Sequence, residues 1–294
     1  MQKALVLGGT RFFGQHLVRS LLEKGYKVTI ATRGITSDAF GKKVERIIFD
    51  RNILDNFKQS FENTTWDIVF DQICYSSQDA INAIEVFSGK TKKYILTSTL
   101  SVYDASPNLL DETDFDPYSY PIKIKTRESI SYQDGKRQAE AVLFQQAPFD
   151  TVAVRIPIVL GENDYTERLL FHVRKIRKEK SIYFSNLDGT MGFIHEKEAG
   201  EFLAWIGATN CKGPINACSD GIISIKELLE LIKKKTGKQP ILANEKCKDN
   251  LSPYNIENFW AMSNKKAEET GFLFTKLTDW LPKLIEELCE KEEI

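Results

Sequence analysis

The sequence predicts an α/β protein, a doubly wound parallel sheet with a smaller C-terminal lobe, and three observations carry that expectation. Short apolar runs alternate with helical patterns through the first half of the chain, as strands joined by crossover helices do. The runs are rich in Val, Ile, Leu and Phe, the pattern of strands covered on both faces. The second half is less regular, with helices separated by short strand-like pieces. It reads as a region that completes the sheet and adds a smaller lobe.

In chain order, KALVL gives the first strand, Lys3–Leu7, and a glycine turn leads into an amphipathic helix over Phe12–Glu23. Strand two is the apolar run Lys27–Ala31, and strand three follows at Val44–Phe49. Apolar positions at helical spacing predict a helix over Ile53–Phe61. Strand four is Trp66–Asp71, followed by a helix at Gln78–Phe87, and strand five is Lys93–Thr97. A helix ending near Gln146 precedes strand six, Asp150–Arg155. Beyond it, helices are expected at Arg168–Lys178, Glu196–Ile206, Ser224–Lys235 and Leu277–Lys291. No internal repeat, low-complexity tract or long linker interrupts the pattern.

At 294 residues the chain can bury a full core in one large or two unequal domains. Its 42% hydrophobic and 28% charged content is that of a soluble globular protein. A net charge of −1 supplies no drive towards nucleic acid or an anionic membrane. No run approaches the roughly 20 apolar residues that span a bilayer. Lys3–Leu7 already reads as folded structure rather than as a leader, so a cytoplasmic location is expected. Cys74, Cys211, Cys218, Cys247 and Cys289 are scattered and lack CxxC spacing, which favours free thiols in a reducing compartment. His16, His172 and His195 lie far apart in sequence, and no metal site is expected.

Gly8, Gly9, Thr10, Arg11, Phe12, Phe13 and Gly14 sit where the first strand turns into the first helix. Glycine there lets the backbone approach a pyrophosphate, and the helix N-terminus offers N–H groups and a partial positive charge. Gly14 would let the helix pack closely on the strand. Arg11 stands where a further glycine is usual in such loops. A strand–helix turn that binds nothing is the plainer alternative. The N-terminal position, the flanking elements and the following strand favour cofactor binding.

An NAD site usually carries an acidic residue at the end of the second strand, on the ribose hydroxyls. Here that strand ends in Ala31, Thr32 and Arg33, and a guanidinium suits a 2′-phosphate. Arg11 adds weight. A cation in the first turn of a helix opposes the macrodipole by roughly 0.3–1 kcal/mol, and a nearby phosphate would offset that. Solvated surface arginines would look the same. The cofactor expected is NADP in preference to NAD, with Asp50 contacting the adenine or merely ending strand three.

Tyr132 and Lys136, in SYQDGKRQAEAVL, are four apart on one face of a helix. A tyrosine titrates near 10 in isolation, so it needs help to act as a base at neutral pH. A lysine ammonium within about 4–6 Å and an oxidised nicotinamide both favour the phenolate. Tyr132 would take a proton from a substrate hydroxyl as hydride leaves, or return it, and Lys136 would also bind the nicotinamide ribose. A hydroxyl at the end of strand five would hold the substrate oxygen: Thr99 by position, with Ser98 as the alternative. An amphipathic surface helix and a hydroxyl-rich strand end are the bland alternatives.

The stretches GGTRFFG, TSTLSVYD, YQDGKRQAE, VAVRIPIVLG, MGFIHEKEAGEFL and GPINACSDGIISIKELLELI together cover nearly the whole chain. In them the sequence resembles the extended short-chain dehydrogenase/reductase family, of the NAD-dependent epimerase/dehydratase type. The resemblance implies a Rossmann-type NAD(P)-binding domain over residues 1–160, to which 189–220 return, and a substrate lobe made mainly of 161–294. It implies a triad carried onto Thr99, Tyr132 and Lys136, a nucleotide-sugar substrate and a homodimer. Asp164, Tyr165, Arg168 and His195 are candidates for the substrate cleft, although His195 could equally cap the helix after it.

The GGTRFFG loop is similar to that of a divergent branch that includes relatives of chloroplast stem-loop RNA-binding proteins. Sugar-nucleotide 4,6-dehydratases follow the hydroxyl residue with Asp-Glu, whereas Thr99 is followed by Leu100 and Ser101. Epimerisation or carbonyl reduction is therefore expected rather than dehydration. One rival is a nucleotide-regulated RNA-binding protein without turnover, motivated by that loop and the basic run from Arg174 to Lys180. A solvated helix face explains that run more simply, and the near-zero net charge counts against the rival. A cofactor-binding sensor on the same fold is the other.

Overall fold

Strand β1 (Lys3–Leu7) lies inside the sheet, and the chain winds away from it in both directions. A computed structural model describes residues 1–291; the last three residues of the expected 161–294 lobe lie outside the described residues. The other strands are β2 (Lys27–Thr32), β3 (Glu45–Ile48), β4 (Trp66–Asp71), β5 (Thr91–Thr99) and β6 (Asp150–Ile156), with a seventh at Gly213–Asn216. Their spatial order is Gly213–Asn216, β6, β5, β4, β1, β2, β3, and every neighbouring pair is parallel. This is the doubly wound sheet that the alternating runs predict. The order reverses between β1 and β4, so a crevice opens at the carboxyl ends of those two strands.

Side chains alternate along each strand, and the sheet divides two apolar cores. Ala4, Val6, Ile68, Phe70 and Ile95 pack on one side with helices α1 (Phe13–Glu23) and α6 (Glu196–Gly207). Leu5, Leu7, Val69, Tyr94 and Leu96 face the other, against α2 (Leu54–Ser60), α3 (Ser77–Phe87) and α4 (Tyr132–Gln146). Gly200 lets α6 cross close to α1: a Cβ there would stand 2.5 Å from the Leu17 nitrogen. Full burial of one such Leu or Phe stabilises by roughly 1.5–3 kcal/mol.

Three further helices build the lobe. The apolar faces of α5 (Arg168–Arg177), α7 (Ile225–Thr236) and α8 (Leu277–Lys291) meet in a separate core. Its centre holds Val173, Ile176, Leu228, Ile232, Leu281 and Ile285. Helix α7 starts in a reciprocal capping box between Ser224 and Glu227, and ends at Gly237, whose φ of +68° closes the last turn.

Two expectations need correction. Strand three was expected to be covered on both faces, yet β3 is the sheet's edge, and Glu45, Arg46 and Ile48 are exposed. Among the described residues no strand lies beyond it; Ile47 is half-buried, and Val44 and Phe49, which flank the strand, keep apolar cover. Strand five runs on to Thr99 rather than stopping at Thr97. Its extra residues pair with β6 as far as Ile156, which carries Ser98 and Thr99 inside the sheet.

Candidate active site

The glycine loop occupies the β1 side of the crevice. Gly8 and Gly9 have φ values of +108° and +86°, which side chains with a Cβ adopt only under strain. A Cβ on Gly14 would meet Gln72 Oε1 at 2.6 Å and Gly9 Cα at 3.0 Å. Gly14 therefore brings α1 against the loop itself. Phe12 holds a φ of +51° without being glycine, a cost of order 1–3 kcal/mol that its surroundings must offset. Helix α1 begins with no side-chain cap, leaving N-terminal N–H groups for a ligand or solvent.

A cavity of about 430 Å³ runs over this loop, bounded by Thr32, Arg33, Asp50, Arg51, Gln72 and Tyr75 among others. Arg33 is exposed at its rim, and Asp50 is half-buried, its Oδ1 accepting from the Asn52 N–H at 2.9 Å. The Thr32 hydroxyl accepts from the Gly34 N–H at 3.1 Å. Arg11 donates to the Thr36 hydroxyl at 3.1 Å and lies 5.8 Å from the Tyr165 ring centre.

A second cavity, of about 410 Å³, contains Thr97, Ser98, Thr99, Tyr132 and Lys136. The two share Phe12, Phe13, Gln72, Tyr75 and Tyr165, so they join through a largely aromatic collar. Larger hollows of about 620 and 760 Å³ lie on the lobe and contain neither the glycine loop nor Tyr132. Chemistry, not size, selects the site.

Helix α4 presents the Tyr-x-x-x-Lys pair. Ser131 caps it, accepting from the Asp134 N–H at 3.1 Å, so Tyr132 is its first residue and Lys136 sits one turn on. Tyr132 is 53% exposed at the cavity mouth, whereas Lys136 is 2% exposed. The Lys136 ammonium donates to the Cys74 and Thr97 carbonyls, both at 2.8 Å. Its Nζ also lies 4.4 Å from the Tyr75 ring centre.

The two candidate hydroxyls differ. Ser98 donates to buried Glu140, which is ion-paired with Arg155 at 2.6 Å. Thr99 accepts from the Ser101 N–H at 3.1 Å, which leaves its own proton to donate. Of the lobe candidates, Tyr165 and Arg168 line the second cavity. Asp164 and His195 do not. Asp164 Oδ1 accepts from the Thr166 N–H at 2.9 Å in the turn before α5, and His195 Nδ1 caps α6 by accepting from the Lys197 N–H at 3.2 Å. Burial lowers the pKa of His195 and takes His16 and His172 down to about 4, so all three are neutral near pH 7.

Four residues of the site escape sequence reasoning: Arg51, Gln72, Tyr75 and Arg127. Gln72 bridges the crevice, its Oε1 accepting from the Gly9 N–H at 3.0 Å. Arg51, almost fully buried, pairs with Asp71 at 2.6 Å. Burial alone would raise the Asp71 carboxyl, but the Arg51 guanidinium overrides it and holds the group below its usual range. Arg127 donates to Asp79 at 2.8 Å and packs 4.7 Å from the Tyr75 ring centre. The signal that could have found Gln72 and Tyr75 is their place, just beyond the carboxyl end of the strand beside β1. Among the described residues no group of three or more His, Cys, Asp or Glu could hold a metal ion, and no helix is long and apolar enough to cross a membrane.

Comparison with known proteins agrees with this architecture. The NAD dependent epimerase/dehydratase family model matches residues 4–88. A curated relative, the chloroplast stem-loop binding protein of 41 kDa b of Arabidopsis thaliana, is 28% identical over 188 residues, 58% of this chain. The chain spans about half the length of that relative, the match taking in 46% of it. Among solved structures, the Thermus thermophilus UDP-glucose 4-epimerase in complex with NAD has a TM-score of 0.71 at 18% identity, over 98% of both chains. The Thermotoga maritima UDP-glucose 4-epimerase with UDP-glucose gives 0.74 at 17%, over 99% of this chain and 98% of that one. The dTDP-glucose 4,6-dehydratase of Bacillus anthracis, with NAD, gives 0.75 at 13%, over 100% and 98%. Residues 4–88 thus match the NAD dependent epimerase/dehydratase family model, and along its length the chain has the Rossmann-like fold of these solved epimerase and dehydratase structures.

Proposed function

We propose that the protein is a nicotinamide-dependent epimerase or carbonyl reductase acting at a carbinol or carbonyl carbon of a phosphate-bearing, nucleotide-sugar-like substrate. One observation carries this reading: the cavity over the glycine loop joins the cavity that holds Tyr132, Lys136 and Thr99. A dinucleotide laid from the loop into the second cavity would bring its nicotinamide end to the Tyr-x-x-x-Lys pair. The residues present fit such a group. A Cβ at Gly9 would press on Val6 and Val18 at 3.0 Å, so glycine lets the turn sit tight on the core, beside a helix start without a side-chain cap whose free N–H groups suit a pyrophosphate.

The nicotinamide, when bound, accepts or returns hydride at its C4 position. The rest falls to the chain. Tyr132 takes the proton from the substrate hydroxyl or gives it back. Lys136 offers an N–H to the ribose. Thr99 donates to the substrate oxygen and fixes its angle to Tyr132. Arg33 at the end of β2, with no acidic residue in its place, supports NADP over NAD. Arg168 lines both the second cavity and the neighbouring hollow, which also carries Lys175, Lys178, Lys180 and Lys248. That cationic approach suits a phosphate-bearing substrate, the class seen in the Thermotoga neighbour, whose bound UDP-glucose is a nucleotide sugar.

The test is direct. A ligand at one hundred times its dissociation constant stabilises the fold by about 2.7 kcal/mol, so NADPH should raise the melting temperature clearly and NADH less. Mass spectrometry of nucleotide released on denaturation identifies any cofactor carried through purification. Tyr132→Phe should remove turnover by about 10²–10⁴-fold while the nucleotide still binds. Indifference of the wild-type protein to both nucleotides would sink the reading.

A further inference from the structure

Tyr75 belongs to neither motif, yet the site closes around it. It follows β4, immediately before Ser76, which caps α3 by accepting from the Asp79 N–H at 3.2 Å. Its own N–H donates to Asp79 Oδ2 at 2.8 Å, which ties its backbone down. Its carbonyl touches α4: a Cβ on Gly135 would stand 2.3 Å from the Tyr75 oxygen. Its side chain is at the join of the two cavities.

An ammonium has three protons to donate. Lys136 gives two to the Cys74 and Thr97 carbonyls. Among the described residues its third has no hydrogen-bond acceptor, and the Tyr75 ring stands 4.4 Å from Nζ. Arg127 lies against the same ring at 4.7 Å. Among the described residues the Tyr75 hydroxyl makes one long hydrogen bond, 3.4 Å to the Gln72 carbonyl. Burial, helped by the neighbouring Tyr132 and Tyr165, pushes its pKa up to about 12 against the opposing pull of Arg127. The group facing Lys136 is thus a neutral aromatic ring. Within about 6 Å a ring face attracts a cation, most strongly where water is excluded.

We propose that Tyr75 is a positioning residue for Lys136, and that its ring face, not its hydroxyl, holds the ammonium in place and covers it from solvent. The consequence for the cofactor rests on the function proposed above: Lys136 reaches the ribose only from the position the ring maintains.

Tyr75→Phe keeps the ring face, whereas Tyr75→Leu keeps apolar bulk without it. The first readout needs no cofactor. Native protein is treated briefly with acetic anhydride at fixed pH, and acetylation of Lys136 is followed by peptide mass spectrometry. Wild type and Tyr75→Phe should react equally slowly, and Tyr75→Leu about tenfold faster, a change within the range that loss of a sheltered cation–ring contact gives. The second readout is NADPH affinity by fluorescence titration: Tyr75→Phe should stay within about twofold of wild type, and Tyr75→Leu should weaken by about tenfold, in the range of a lost cation–ring contact. If Tyr75→Leu does not fold, as judged by circular dichroism, Tyr75→Met takes its place. Lys136 as unreactive in the ringless variant as in wild type, or Tyr75→Phe behaving like that variant, overturns the proposal. A wild-type protein that binds no nicotinamide nucleotide overturns the proposed function instead, and the acetylation rates still decide the role of Tyr75.

Discussion

Gly135 separates Tyr132 from Lys136 by sequence alone, but its missing side chain sets where both of them sit. Alanine is the better helix former by roughly 0.8–1.0 kcal/mol, so Gly135→Ala would stabilise an isolated helix. Here the new methyl would lie 2.3 Å from a fixed backbone oxygen, and overpacking of that kind costs about 1–3 kcal/mol. Gly135→Ala should therefore lower the urea midpoint, and it should weaken nucleotide binding, because α4 must move away from the Cys74 carbonyl that anchors Lys136. A variant at least as stable as wild type would mean that α4 yields without cost. This residue shows what the sequence could tell. The spacing of Tyr132 and Lys136 is readable in SYQDGKRQAEAVL, because a helix brings positions four apart together. That Gly135 faces Tyr75, or that Ser98 is spent on Glu140, depends on which elements lie side by side, and no local pattern carries that.

The same helix is tied to the sheet by a buried charge pair. Glu140 stands one turn beyond Lys136 on α4, Arg155 lies near the end of β6, and neither side chain is exposed. Burial opposes the Arg155 charge, but Glu140 and the Tyr103 hydroxyl reverse that and raise its pKa. Arg155 also donates to the carbonyls of Glu112 and Phe115 at 3.1 and 3.0 Å. Arg155→Met should cost about 3–5 kcal/mol by leaving a carboxylate buried without its partner. Glu140→Leu in the same chain should recover part of that loss, since a well-packed apolar pair can replace a buried ion pair. Chemical denaturation of the two single variants and the double variant measures the coupling. A double variant no more stable than Arg155→Met alone would place the loss in the Arg155 carbonyl contacts instead. At this scale the sequence was most legible, since apolar runs and helical periodicity report burial directly. The exception is β3, because apolar content registers that a strand is present and not whether another strand lies beyond it.

For the molecule as a whole, sheet and lobe have separate cores, and each core carries its own acid-sensitive groups. His172 lies in the lobe, fully buried, with its ring 4.6 Å from that of Tyr254, and its two nitrogens contact the Arg168 carbonyl and the Ser252 hydroxyl, each at 2.8 Å. Burial lowers its pKa from 6.5 to about 4. The unfolded chain therefore binds a proton below pH 6.5 that the folded lobe refuses until about pH 4. Stability from this group is complete above the higher value and falls steadily towards the lower, by about 1.4 kcal/mol for each pH unit. In the sheet, Asp71 works in a lower window. Its folded pKa lies below the ordinary 3.8 because Arg51 outweighs the burial that would raise it, so its contribution persists until the pH falls beneath that value. The pKa of His16 on α1 is likewise lowered to about 4 by burial, so acidification from about pH 7 to 4.5 should weaken both the lobe and the α1 side of the sheet while the Arg51–Asp71 pair holds. Hydrogen exchange should show protection lost in α5 and α1 before β4, and His172→Phe should flatten the slope of unfolding free energy over that range. Loss in β4 together with these helices, with the slope unchanged in the variant, would place the acid sensitivity in groups shared by the whole fold.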